Sequence, residues 1–239
     1  MLIDTKLHVP ELKRPMIERK RLLELLSADK DYPLLLVSGP AGSGKTSLIS
    51  QWAAREKLSP AWYSIDERDN DPDIFFRYFL TALANVEERL NAAVRPLLQN
   101  LKMICTDEII PTLVQSLIGF KKDIYLVLDD FHHITHKVIR DVLHRLVQYL
   151  PPRLHIVLVS RYNLDGLFSR FRVQGKTVDI MGSDLAFTEA EAGRFFFRSR
   201  RRAHALGSYP ETDPVSERLG CRVSTGGTFP KGAMGMPGL

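Results

Sequence analysis

Hydrophobic positions along this chain fall into short unbroken runs, separated by stretches in which they recur every three or four residues. The runs are Leu34 to Val37, Ala61 to Ile65, Ile124 to Leu128 and Leu154 to Val159, with Thr177 to Met181 as a weaker fifth. Runs of this length without polar alternation predict strands buried on both faces, as in a parallel sheet covered by helices. Between them the period is helical. Ile17 to Leu26 is a charged, leucine-rich helix candidate, and Leu48, Ile49 and Trp52 share one face after the first strand. Asp71-Pro72 predicts an N-cap with proline at the first helical position, opening a helix that carries Phe75, Phe76, Phe79, Leu80, Leu83 and Leu90. Asp107 to Leu117 is another helix, with Pro111 near its first turn, and Ile134 to Leu150 is the most regular, stopped by Pro151-Pro152. Thr188-Glu189-Ala190-Glu191 has the form of a capping box opening a helix through Phe195. Leu2 to Pro15, with spaced prolines and no period, predicts an extended arm, and Leu97 to Met103 has no assignable pattern.

One polar stretch changes this outline into a chemical expectation. Gly39-Pro40-Ala41-Gly42-Ser43-Gly44-Lys45-Thr46 fits G-x-x-x-x-G-K-[ST], and it follows a predicted strand and enters a predicted helix. Glycines let the backbone wrap a phosphate chain with its N–H groups inward, and the helix presents its positive end to the same anion. Lys45 would reach the β- and γ-phosphates, Thr46 would offer its hydroxyl to Mg²⁺, and Ser47 completes the expected nucleotide-binding set.

The third run closes on Asp129-Asp130, where ligands bind in open α/β sheets, beyond the carboxyl ends of the strands. Asp129 fits the role of holding Mg²⁺ and Asp130 that of orienting or deprotonating an attacking water; the plainer alternative is a pair of aspartates that start a loop and cap a helix. His132 and His133 offer too few partners for a metal site, so hydrogen bonding behind the aspartates is expected for one and solvent for the other. Arg161, leaving the fourth run, either senses the γ-phosphate or pairs with an acidic loop. Arg19 either touches nucleotide or is a solvated charge, and pattern alone favours the latter.

Composition narrows the partners. The 239 residues are 44% apolar, enough for a substantial core, and no run is long enough to cross a bilayer. Cys105 and Cys221 make no metal or disulfide framework, so a cytoplasmic setting is the expectation. The net charge of +5 is concentrated at the end: from Arg198 onward seven basic residues (Arg198, Arg200, Arg201, Arg202, Arg218, Arg222, Lys231) face three acidic ones (Glu211, Asp213, Glu217). The body is therefore nearly neutral and carries no whole-domain footprint for nucleic acid. Seven of the fifteen glycines also fall in this tail, which has no apolar period and is expected to be disordered. The expected organisation is an N-terminal arm and helix over 1–30, a P-loop NTPase domain over 31–197 and a basic Gly/Pro-rich tail over 198–239. The expected fold is α/β: three layers, a mainly parallel sheet, and an additional strand at 61–65 between the phosphate-loop strand and the Asp129 strand.

Taken together, these segments resemble the nucleotide-binding domain of MalT-like regulators, large LuxR-family activators of the STAND class of signalling ATPases. The likeness covers roughly Thr5 to Phe196. It rests on Thr5-Lys6-Leu7 with Pro10, Ile17-Glu18-Arg19, Gly39 to Thr46 with Gln51-Trp52-Ala53, and Trp62 to Asp66 with Asp69-Asn70-Asp71-Pro72. It continues through Leu126 to His132, Ser160-Arg161 with Arg170 and Arg172, Asp184-Leu185, Phe187-Thr188 and Glu191-Ala192. Asn163-Leu164-Asp165-Gly166 departs from the family, lacking its usual proline. The resemblance implies ATP and Mg²⁺ as ligands, with Arg19 near nucleotide, ATP/ADP exchange, slow hydrolysis and self-association of the ATP form. Sequence-specific DNA binding is not expected of this chain alone, nor is a membrane. The change of texture at Arg198, where the family continues into further domains, leads to the expectation of a truncated or frame-shifted product. A nucleotide-holding interaction fragment without turnover is the alternative function, and a metabolic P-loop kinase is disfavoured for want of an acceptor-pocket signature.

Overall fold

All five apolar runs become strands, and all five lie parallel in one sheet: β1 (Leu34–Ser38), β2 (Ala61–Ser64), β3 (Ile124–Asp129), β4 (Leu154–Ser160) and β5 (Thr177–Ile180). The computed structural model describes residues 2–11, 17–28, 32–99, 106–118 and 120–194. Residues Met1–Ala192 form one compact unit; the second, from Gly193, is described only at 193–194. The expected tail at 198–239, and the boundary at 197, lie outside the described residues.

Strand order is β2-β3-β4-β1-β5, so β4 sits between the phosphate-loop strand and the Asp129 strand, and the added strand β2 lies at the far edge beyond β3. Successive side chains of a strand point to opposite faces, and here the two faces feed two cores. Leu34, Leu36, Leu126, Leu128, Ile156 and Leu158 pack with one set of helices. These are α3 (Pro72–Ala84), α4 (Glu88–Gln99), α5 (Thr106–Leu117), α6 (Lys137–Gln148) and α7 (Asp165–Val173). Leu35, Val37, Trp62, Val127, Val157 and Val159 pack against α1 (Lys20–Ala28) and α2 (Lys45–Arg55). The expected three-layer fold is thus the observed one, and its sheet is wholly parallel.

Several local expectations give way. The helix from Pro72 ends at Ala84, and Leu90 belongs to α4, which continues through the unassigned Leu97 to Gln99 with Pro96 inside it. Asn85 donates to Thr81 O and Val86 to Leu83 O, a tight closure that turns the chain so that Leu90, Val94 and Leu97 join the same core as Phe79. Pro111 lies inside α5 rather than in its first turn. The first helix starts at Lys20, not Ile17. The arm is not simply extended: Asp4–Leu7 forms a 3-10 turn whose Leu7 is buried, and Lys6 Nζ grips Asp69 at 2.8 and 2.6 Å and Asp66 at 2.8 Å. A pairing across that span leaves no periodic trace in the sequence. The two predicted caps form as read: Asp71 accepts from Ile74 N, and Thr188 and Glu191 bond reciprocally.

Candidate nucleotide site

The site begins where β1 runs out. Ser38 is in register with Ser160 of β4, and Gly39 N donates to Ser160 O at 3.2 Å, so the phosphate loop and the end of β4 leave the sheet side by side. The loop over Pro40, Ala41, Gly42 and Ser43 then turns through two left-handed residues, Gly42 at φ +77° and Gly44 at φ +84°. A side chain is strained in that region, and a Cβ on Gly44 would also stand 3.1 Å from Arg19 Nη2. Gly44 is the N-cap of α2 without a side-chain cap, so the first N–H groups of the helix, including those of Lys45, Thr46 and Ser47, point out of its end.

Lys45 is buried and folds back so that Nζ donates to Gly39 O at 2.8 Å and Pro40 O at 2.9 Å. Burial lowers its pKa, and Asp130 and Asp129 oppose that shift. Thr46 Oγ1 donates to Asp129 Oδ1 at 3.0 Å. The sheet brings these together: Asp129 closes β3 with only 4% of its surface exposed, and its Oδ1 also accepts from Asp130 N at 3.0 Å. Burial, then the neighbouring Asp130, pushes the Asp129 carboxyl up to about 6, against the hydrogen bonds from Thr46 and Asp130 N and the charge of Lys45.

Asp130 stands in the left-handed region at φ 56°, uncommon for a residue with a side chain. It precedes the 3-10 turn Phe131–His133 but gives it no side-chain cap; α6 is capped by His136. The capping alternative therefore does not account for the aspartates. Arg161 is exposed at the end of β4, lines an open cleft of about 560 Å³ with Gly39, Pro40, Ala41 and Gly182, and forms no ion pair among the described residues. The reading in which it pairs with an acidic loop is not observed. Its charge acts on Lys45 and on His132.

Arg19 corrects the sequence reading most directly. It is 8% exposed rather than solvated, donates from Nη2 to Ser43 O at 3.0 Å, and lies over the Phe187 ring at 4.5 Å. Burial lowers its pKa and the Glu191 carboxylate opposes the shift. No local pattern marks Phe187 as the partner of Arg19: the capping box beside that ring is the signal the sequence carries, and it does not say which arginine the ring covers. The neighbouring segment presses on the loop too, since a Cβ on Gly39 would meet Leu185 Cδ1 at 3.0 Å and Gly182 Cα at 3.2 Å. Arg172 is held by Asp179, with contacts of 2.6, 2.9 and 3.0 Å, which makes it part of the scaffold.

The residues present fit a nucleotide and a magnesium ion. Among the described residues Ser43 Oγ and Arg19 Nη1 are buried without hydrogen-bond partners, polar capacity left beside a loop built from close backbone turns. Thr46 and Asp129 offer hard oxygen donors. That suits Mg²⁺, which takes one or two protein oxygens and completes its shell with phosphates and water.

Comparison with known proteins bears on the family and the fold. Residues 17–159 match the family model described as an AAA ATPase domain. The chain is 36% identical over 197 residues to the HTH-type transcriptional regulator MalT of Cronobacter sakazakii, covering 82% of this chain and 22% of that protein. MalT of Klebsiella pneumoniae gives the same figures, 36% identity over 82% of this chain and 22% of the relative. The chain thus spans about a fifth of the length of these relatives. Among solved structures, a Walker-type ATPase of Pyrococcus abyssi superposes with a TM-score of 0.51 at 15% identity, covering 83% of this chain and 63% of that one, a likeness of fold. No helix among the described residues is long and apolar enough to cross a membrane.

Proposed function

Because this chain belongs to the AAA ATPase domain family and is MalT-like in sequence, we propose that it is an ATP-binding, slowly hydrolysing switch domain of a MalT-like transcriptional regulator. The observation that carries the reading is the Thr46 to Asp129 hydrogen bond, which joins the end of the phosphate loop to the end of the carboxylate strand. The loop backbone and the α2 N-terminus bind the phosphates, Lys45 pairs with the β- and γ-phosphates, and Arg19 holds the loop through Ser43 O. Mg²⁺, held by the Thr46 hydroxyl and the Asp129 carboxylate, would neutralise charge on the β- and γ-phosphates. Asp130 orients the attacking water, and Arg161 senses the γ-phosphate from the adjacent strand end. ATP and ADP are the exchanged ligands, and the ATP form self-associates.

The test is binding of labelled ATP with Mg²⁺ to wild type and Lys45→Ala, followed by phosphate release from wild type and Asp130→Ala. Wild type binds and Lys45→Ala does not; equal binding would overturn the site. ATP-dependent phosphate release by wild type that Asp130→Ala abolishes supports turnover, and no release above background would leave a binding domain without hydrolysis.

A further inference from the structure

His132 sits beside the site with no part in it so far. Its side chain is 6% exposed, and neither ring nitrogen has a hydrogen-bond partner among the described residues. A buried imidazole without partners is costly, so its retention calls for a physical reason. The ring is held on two sides by aromatic contacts, His133 at 4.2 Å between centroids and Tyr162 edge-on at 5.9 Å. It therefore cannot swing away without breaking both. Nδ1 stands 3.6 Å from Asp130 Oδ1, within ion-pair range but too long for a hydrogen bond.

The charged and titratable groups around the ring are Asp130 and His133 from its own turn, Arg161 with Tyr162 from the end of β4, and Lys45 from α2. Burial lowers the His132 pKa, His133, Arg161 and Lys45 lower it further, and Asp130 alone among these raises it. The ring is accordingly neutral near pH 7, with one N–H to donate and one nitrogen to accept.

We propose that His132 is a positioning residue for Asp130: its Nδ1–H donates to the Asp130 carboxylate and aims that carboxylate at the attacking water. This rests on the hydrolysis reading above. In that reaction the water oxygen bonds to the γ-phosphorus, the bond to the bridging oxygen breaks, ADP and inorganic phosphate leave, and the water proton passes to Asp130. Asp130 has a partly exposed side chain on a left-handed residue, and among the described residues no hydrogen bond holds its carboxylate. Hydrogen bonds of this kind are often long in unliganded proteins and shorten when the substrate is bound. The arrangement is that of a base oriented by a third group, with the roles of histidine and aspartate reversed.

The experiment compares wild type, His132→Ala, His132→Asn and His132→Gln for ATP affinity and single-turnover phosphate release. Asparagine places its amide nitrogen near where Nδ1 stands, and glutamine places it near Nε2. His132→Ala keeps ATP affinity within about twofold and loses roughly tenfold or more in release rate, as orienting partners typically do; His132→Asn recovers most of that rate and His132→Gln does not. Equal rates for wild type and His132→Ala overturn the inference while leaving the hydrolysis reading intact. If alanine fails to fold, equal rates for the asparagine and glutamine variants overturn it. No release from wild type overturns both. In 15N-histidine-labelled protein bound to a non-hydrolysable ATP analogue, the His132 signals are those of a neutral ring protonated at Nδ1, and Asp130→Ala moves them; an Nε2-protonated ring there would also overturn it.

Discussion

Thr46 and Asp129 are 83 residues apart in sequence, and a 3.0 Å hydrogen bond between their side chains closes the site. The bond runs from the first turn of α2, which the loop after β1 enters, to the end of β3, and β1 and β3 are not neighbours, since β4 lies between them. Only a sheet with both strand ends at one edge places them so.

Thr46→Val removes this bond while nearly preserving volume. Asp129 then loses one of the two hydrogen bonds its Oδ1 accepts, with a cost of about 1–3 kcal/mol for the less satisfied buried carboxylate. Denaturant titration without ligand should show that loss. Mg²⁺-dependent ATP affinity should fall at least tenfold, whereas Mg²⁺-free affinity should change little. Equal losses with and without Mg²⁺ would assign Thr46 a purely structural role.

The Asp129 carboxyl is pushed up to about 6 by burial and by Asp130. A folded-state pKa above the unfolded value of ~3.9 means that the native protein holds this proton more tightly. Its contribution to stability is therefore fully present below pH ~4 and is lost as pH rises through about 6, a swing of roughly 3 kcal/mol. Asp129→Asn keeps the accepting oxygen without the charge. In chelator it should melt above wild type at pH 8, and the gap should close towards pH 4. A pH-independent gap would refute the assignment.

Lys6 is the partner that keeps Asp69, 1% exposed, from being an uncompensated buried charge. Lys6→Met breaks the pair and should cost about 3–5 kcal/mol. Thermal melting should fall by roughly 6–20 °C. The companion Lys6→Met/Asp69→Asn variant should recover part of that loss, and failure to recover would locate the effect in Lys6 packing instead.

Gly44→Ala places a Cβ at φ +84° and 3.1 Å from Arg19 Nη2. The backbone strain is about 1–2 kcal/mol, and the guanidinium must shift. Arg19→Ala relieves the second effect only. ATP affinity should drop in both single variants, and the double variant should lose less than the sum. Strict additivity in binding would show that Arg19 and the loop are not coupled.

Much of this was legible in the chain. The five strands, both predicted caps and the phosphate loop are written in local pattern, because strand burial, N-caps and left-handed glycines are decided by neighbours a few residues away. The break between α3 and α4 was not legible, because Leu90 keeps helical phase with Phe79 and Leu83 although the chain turns at Asn85. Nor was the buried state of Arg19, whose covering ring, Phe187, arrives from the far end of the domain.

The sequence by itself determined which residue types could hold a phosphate and a divalent ion, since backbone turns, an amine, a hydroxyl and a carboxylate carry that chemistry wherever they stand. The tertiary structure decided which of them meet. Parallel pairing with β4 between β1 and β3 sets Lys45, Thr46, Asp129, Asp130 and Arg161 at one edge, and packing buried Arg19 and His132 beside them. Burial and long-range contact depend on the whole chain folding at once, so no local window of sequence contains them.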